Sequence, residues 1–292
     1  MNLLKTCLAL ITCSTAIASK PTTYVVGSLF GQAGNNFFQI AAACATAWDH
    51  EAEAYFPDLA IIPTLYHHYF SRCNIDPPSD EISFDWDGPI DYSDIPYQPY
   101  MKLHGYLQSW KYFDHHKERL QKLFAPIDRD KRYIQRKYGT LLNESITVGI
   151  QLRYYKEEAP SFPQYGKEYL EKAMALFPDT ALFLVSTNNL SFAKQEVPTK
   201  GKHVIFLENE PHYIDFYTLT CCKHLIISNS TFGWWAAYLN PHPNKVVVAP
   251  RIWMFHLLPD QELALNHPDL YPQEFPDIHP PDWIQIAAPP IF

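Results

Sequence analysis

From Thr147 to Pro250 the chain alternates short apolar runs with longer helical segments, and this rhythm constrains the fold more than any other feature. "TVGIQLR", "ALFLVS", "HVIFL", "HLIIS" and "KVVVAP" read as strands, and "GKEYLEKAMALF", "YIDFYTLTCC" and "FGWWAAYL" as the helices among them. Strands that alternate with helices pair in parallel, because each crossover helix returns the chain to the same end of the sheet. Ligands of such sheets sit beyond the carboxyl ends of the strands. The residues that follow each apolar run are therefore the first candidates for a site.

The preceding half is less regular. "TYVVGS" reads as a strand and "NNFFQIAAACATAWD" as a helix apolar on most faces, hence buried. "KLHGYLQS" reads as a further strand, with helices over "DHHKERLQKLF" and "DRDKRYIQRKYGTLL". The proline–aspartate clusters "DPPSDE" and "DGPIDYSDIP" mark residues 57–99 as an insertion with little regular structure. The expectation is an α/β protein of two halves, residues 22–142 and 143–256, followed by a proline-rich extension over 257–292.

Residues 1–18 read as a signal peptide: Lys5, a short apolar run, and small residues at Ala16-Ile17-Ala18. The run is shorter than the ~20 residues of a membrane span. A genuine leader implies a secretory, secreted or periplasmic protein, and a mis-assigned start implies a cytoplasmic one. The formal charge of −8, without a lysine or arginine cluster, excludes a nucleic-acid surface. Beyond the leader, Cys44, Cys73, Cys221 and Cys222 lack zinc-like spacing and disulfide-scaffold density. The Cys221-Cys222 pair reads as core filling at a helix end.

Three strand ends carry chemistry. In "IISNSTFGWW" the polar stretch Ser228-Asn229-Ser230-Thr231 falls where a helix begins. Free backbone N–H groups and the helix dipole make that place an anion site, unless the hydroxyls merely cap the helix. In "GSLFGQAGNNFFQ" three of the chain's ten glycines fall in one turn that presents Asn35, Asn36 and Gln39. Amides there suit a hydroxyl-rich ligand, or simply cap a tight turn. Arg153 ends a central strand, where a guanidinium needs an anion, either a ligand or a helix carboxylate. Asp85-Trp86-Asp87 and Asp128-Arg129-Asp130 read as loop and cap residues rather than metal ligands. The His67-His68 and His115-His116 pairs read as solvated. The sequon at Asn229 sits beside two tryptophans and is a poor glycosylation acceptor.

The order of "GQAGNNFFQIA", "LHGYLQSWKYF", "VGIQLR", "IDFYTLTCCKHLIISNSTFGWWAAYLN" and "PPDWIQI" resembles glycosyltransferase family 11, the α-1,2-fucosyltransferases, from Tyr24 to Ile286. "SNSTFGWWAA" is its most specific piece. The resemblance implies a GT-B-like architecture, two Rossmann-like halves facing across a cleft, with the acceptor side in the first and the donor in the second. It implies inverting, metal-independent transfer of L-fucose from GDP-fucose to the 2-hydroxyl of a galactoside, so the partners are a nucleotide sugar and a glycan. Carried over by position, Arg153 faces the diphosphate, Gly34, Gln151, Ser228, Asn229, Ser230 and Thr231 line the donor site, and Asn35 faces the cleft from the other half. Glu157, Glu158 and Asp215 are the candidate general bases. This chain departs from the family where H-x-R-R-G-D reads Gln151-Leu152-Arg153-Tyr154-Tyr155-Lys156 and where S-D-D reads Ser186-Thr187-Asn188. Those losses keep two alternatives in play: a catalytically degraded sugar- or nucleotide-binding module, and a transferase with another donor.

Overall fold

The computed structural model describes residues 23–89, 91–144, 146–155, 162–254, 277–289 and 291. The first half holds a four-stranded parallel sheet of β1 (Tyr24–Gly27), β2 (Glu53–Tyr55), β3 (Phe84–Asp87) and β4 (Met101–His104) in the order β2-β1-β4-β3. The second half holds β5 (Thr147–Leu152), β6 (Leu182–Thr187), β7 (His203–Phe206), β8 (His224–Ile227), β9 (Val247–Pro250) and β10 (Ile284–Ile286), also all parallel. Their order, β10-β9-β8-β5-β6-β7, reverses between β5 and β8. Every residue of β5 is buried, as a parallel strand covered on both faces must be. The fold is α/β and GT-B-like, as the resemblance implies.

Helices join the two sheets. Helix α1 (Ala33–Asp49) follows β1, and α7 (His212–Thr220) and α8 (Thr231–Leu239) flank β8. Both α1 and α8 are buried nearly all round, so each packs on its own sheet and on the other helix. Phe37 of α1 lies between Phe216 of α7, at 5.1 Å and 13°, and Trp235 of α8, at 5.3 Å and 25°. Phe38 meets Trp234 at 4.5 Å, and Phe113 stacks on Trp235 at 5.2 Å. One apolar core thus runs from Val25 in the first sheet to Ile227 in the second. A separate core covers the far face of the second sheet around Tyr169, Leu170 and Phe183.

Several expectations change. Residues 57–99 contain α2 (His67–Phe70) and β3, an edge strand in register with β4 from Phe84 opposite Met101 to Asp87 opposite His104. Helix α4 (Asp128–Glu144) ends beside the expected boundary yet packs on α7, and its Tyr133, Lys137 and Tyr138 gather on Glu210, two residues before α7 begins. Two further helices are α3 (Lys117–Leu123) and α5 (Lys167–Met174), and α6 (Leu190–Glu196) is one that the pattern did not signal. Cys222 is buried, but Cys221 lies exposed at the end of α7. The signal peptide falls outside the described residues.

Phe37→Ala removes the ring that both halves share and is expected to cost ~3–5 kcal/mol. Urea unfolding followed by tryptophan fluorescence and far-UV circular dichroism should show one coincident transition at a lower midpoint. Two separated transitions in the parent protein would contradict a shared core.

Candidate active site

Where the strand order reverses, two neighbouring chains diverge and leave a crevice, and the carboxyl ends of β5 and β8 form this one. The Ser228 N–H donates to the Gln151 carbonyl at 2.9 Å. The Ser228 hydroxyl accepts from the Arg153 N–H at 2.9 Å and donates to Gln151 Oε1 at 3.1 Å. Ser228 is therefore spent on tying the two strand ends together; it is buried behind the crevice and does not line it. Asn229 donates to the Trp253 carbonyl at 2.9 Å, and its own carbonyl accepts from the Tyr155 hydroxyl at 2.7 Å. Its buried Oδ1 has no partner among the described residues. An asparagine 1% exposed is closed to glycosylation.

The cap reading of the serine–threonine stretch fails at Ser230. Ser230 occupies the N-cap position of α8 with extended backbone, but its hydroxyl makes no capping bond, and the first turn carries no acidic residue. The first backbone bond of the helix runs from Trp234 N–H to the Ser230 carbonyl. The N–H groups of Thr231, Phe232 and Gly233 precede it and have no intrahelical acceptor, so the positive end of the helix stays open. Arg153 comes to the same place. Its guanidinium lies 5.7 Å from the centre of the Tyr155 ring and has no carboxylate partner among the described residues. Among the described residues, no salt bridge to a helix carboxylate accounts for it.

The opposite wall comes from the first half. Asn35, in the first turn of α1, accepts through Oδ1 from the Thr231 hydroxyl at 3.2 Å and from Gln108 Nε2 at 3.0 Å. Gly34 lets the two helix starts meet, since a Cβ there would fall 2.3 Å from Thr231 Oγ1 and 2.7 Å from the Phe232 nitrogen. Asn36 and Gln39 do not face the crevice. Asn36 donates to the Phe30 carbonyl and to Gln39, and Gln39 accepts from the Phe30 N–H and reaches the Gly105 carbonyl. They shape the loop instead of binding.

Gly34, Asn35, Gln151, Arg153, Asp215, Asn229, Ser230 and Thr231 all border one cavity of ≈ 690 Å³, a size suited to a nucleotide-sized ligand. Asp215, in the first turn of α7, is 8% exposed. Its Oδ2 accepts from the Ser186 hydroxyl at 2.9 Å, and its Oδ1 has no partner among the described residues. Burial pushes its pKa up to about 7, with the Ser186 hydrogen bond pulling the other way and the Glu210 charge adding to the rise. Glu157 and Glu158 lie outside the described residues. Asn188, in place of a family carboxylate, accepts from the Tyr154 N–H at 2.7 Å and donates to the Tyr154 carbonyl at 2.9 Å, which uses both ends of its amide.

The cavity also takes Tyr66, Tyr106, Gln108, Tyr155, Phe162 and His212, to which the sequence reading assigned no role. For Tyr106 and Gln108 a signal existed. The strand read through "KLHGYLQS" stops at His104, because Gly105 at φ 121° and Leu107 at φ 52° break it. A leucine in that region costs ~1–2 kcal/mol. Neither Asp-x-Asp pair reaches the cavity, and Asp130 instead binds His68 at 2.6 Å. His68 stacks on Tyr213 at 3.6 Å and is not solvated as expected. Among the described residues, Asp49, His115 and His116 lie close enough to share a cation, with His Nε2 to carboxylate distances of 2.7–3.1 Å, and none borders the cavity.

The raised pKa of Asp215 has a consequence for stability. Between the unfolded value near 4 and the folded value of about 7, the folded protein holds a proton that the unfolded chain has lost. Stability from this group is therefore present at low pH and lost as pH rises through about 7. Asp215→Asn should have a higher urea midpoint than the parent at pH 8, and the gap should narrow towards pH 5. A gap independent of pH would refute the burial argument.

The Glycosyl transferase family 11 model matches residues 77–262. The chain is 30% identical over 167 residues to galactoside alpha-(1,2)-fucosyltransferase 1 of Homo sapiens, across 51% of this chain and 45% of that protein. It is 25% identical over 158 residues to alpha-1,2-colitosyltransferase of Escherichia coli, across 51% and 54%. The chain thus spans about half the length of these curated relatives. Among solved structures, a mutant of Arabidopsis thaliana FUT1 in complex with GDP superposes with TM-score 0.50 at 16% identity, over 80% of this chain and 71% of that one. NodZ alpha-1,6-fucosyltransferase soaked with GDP-fucose gives 0.52 at 12%, over 75% and 93%. These structural likenesses are likenesses of fold. With the two-sheet architecture and a family match over most of its length, the chain belongs to glycosyl transferase family 11.

Proposed function

We propose that the protein is an inverting fucosyltransferase that moves L-fucose from GDP-fucose to the 2-hydroxyl of a galactoside. One observation carries this reading: the uncapped start of α8 and the Arg153 guanidinium, which has no carboxylate partner among the described residues, meet in one cavity. A leaving diphosphate needs fixed positive charge where its negative charge develops, and backbone N–H groups with an arginine supply it without reorganisation. Family membership and the likeness to a galactoside fucosyltransferase support the choice of donor and acceptor.

In this reaction the acceptor oxygen attacks the anomeric carbon of fucose from the face opposite the diphosphate. The bond from that carbon to the β-phosphate oxygen breaks, and GDP leaves with the electron pair. The hydroxyl proton passes to a carboxylate. Asp215 suits that task, with an Oδ1 that has no partner among the described residues, a place in the cavity wall and a pKa of about 7. Ser186 holds its other oxygen and so fixes the direction of the carboxylate.

Incubation with GDP-fucose and lactose should release GDP and yield a fucosylated product. Arg153→Ala should lower that turnover at least ~100-fold while the circular dichroism spectrum stays that of the parent. Parent-like turnover in the variant would sink the assignment. If Asp215 is the base, kcat rises with pH through about 7 to a plateau. Asp215→Asn then loses ~10²–10⁴-fold and flattens the profile. An unchanged profile in that variant would move the role elsewhere.

A second reading keeps the transferase and changes the donor. It is favoured by Asn188, whose amide is consumed by Tyr154 and leaves no carboxylate at that strand end for a nucleobase. The Escherichia coli relative, named for colitosyl transfer, supports a different sugar. Competition among GDP-, UDP- and ADP-sugars in the same assay separates the two.

A further inference from the structure

Beyond β4 the chain follows a path that turns a single aromatic ring outward. Gly105 at φ 121° and Leu107 at φ 52° put both neighbours of Tyr106 in the region that L side chains avoid. Gly105 also needs bare backbone there, since a Cβ would lie 2.9 Å from the Gly88 carbonyl oxygen. Leu107 is 2% exposed and Gln108 8%, whereas Tyr106 between them is 46% exposed. The ring borders the cavity. Phe30 braces it edge-on at 4.9 Å, with His104 stacked on Phe30 at 4.9 Å. The Tyr106 hydroxyl makes no hydrogen bond to the described residues. Neither core packing nor a polar contact accounts for the side chain, and strain retained beside a cavity points to a use.

We propose that Tyr106 is the platform on which the sugar ring of the acceptor lies, an inference that rests on the transferase reading above. An exposed phenol, braced by Phe30 at a cavity lined by aromatic and polar side chains together, attracts a ligand that is apolar on one face and hydroxylated around its edge. Galactose is such a ring: its axial 4-hydroxyl leaves the hydrogens on C3, C4 and C5 together on the opposite face. Those weakly positive C–H groups meet the negative face of the aromatic ring. The edge hydroxyls have a partner close by. Gln108 donates through Nε2 to Asn35, which leaves its Oε1 to accept from a sugar hydroxyl. The platform comes from the first sheet, while Arg153 and the start of α8 come from the second. Acceptor and donor thus approach from opposite walls of one cavity.

The test uses the full chain, with lactose as probe and cellobiose, its glucose counterpart, as control. Ligand-observed saturation-transfer NMR reads binding without turnover, and GDP release reads the reaction. The parent should bind lactose more tightly than cellobiose. Tyr106→Phe should match it, and Tyr106→Ala should weaken lactose binding and raise the acceptor KM roughly five- to tenfold, with the preference over cellobiose reduced and the KM for GDP-fucose unchanged. Parent-like lactose affinity in Tyr106→Ala, or a parent that binds no lactose, overturns the platform. If GDP is released but the acceptor KM ignores Tyr106→Ala, the platform falls and the transferase stands. If lactose binds through Tyr106 and GDP is never released, the platform stands and the transferase reading falls.

Discussion

The packing of Phe37 between Phe216 and Trp235 is the contact on which the rest of the molecule depends. It joins the helix after the first strand of one sheet to two helices of the other, and all three rings are fully buried in the apolar core that the halves share. Because rigid rings fill the space, α1 and α8 have a fixed distance and a fixed tilt. Gly34 then allows their first turns to touch, and Asn35 bonds Thr231 across the gap. The cavity is what remains above this contact, where the two helix starts and the ends of β5 and β8 no longer meet.

Electrostatics at the cavity follow from the same packing. Burial beside the aromatic core takes water from Asp215 and raises its pKa, while Ser186 satisfies only one of its oxygens. Glu210, by contrast, is held by Tyr133, Tyr138 and Lys137, and those contacts keep its carboxyl below its ordinary value despite burial. Two acidic groups near the start of one helix thus serve different ends. Glu210 anchors α4 to α7, and Asp215 is left under-solvated next to a cavity. A fold tolerates such a group at a cost in stability when the site needs a carboxylate of near-neutral pKa.

The site draws its parts from strand ends far apart in sequence, and its polar inventory divides between work inside the protein and work facing the cavity. Ser228, Gln39 and Asn188 carry chemistry suited to a ligand, yet each is consumed by the protein's own backbone or amides; Asn36 spends its amide nitrogen in the same way, and its buried Oδ1 stays without a partner among the described residues, away from the cavity. Arg153, Asn229 Oδ1, Asp215 Oδ1 and the first N–H groups of α8 are not consumed by the described residues. The distinction cannot be read from residue type, because a hydroxyl or amide at a strand end serves either purpose with the same geometry.

Much of the fold was legible in the chain. The alternation after Thr147 dictates parallel strands with crossover helices, since apolar period and segment length are local properties. The strand-end rule directs attention to Arg153 and the stretch from Ser228 to Thr231 for the same reason. Edge strand β3 was hidden, because an edge exposed on one side lacks a continuous apolar run and the surrounding prolines read as loop. What only the tertiary structure decided is which polar groups are left over. Whether Ser230 caps its helix, whether Asn188 is free, and whether Tyr106 turns out or in depend on neighbours brought close by folding. Hydrogen-bond satisfaction is a property of three-dimensional contacts, so which groups of the cavity wall face a ligand with capacity to spare is settled only by folding.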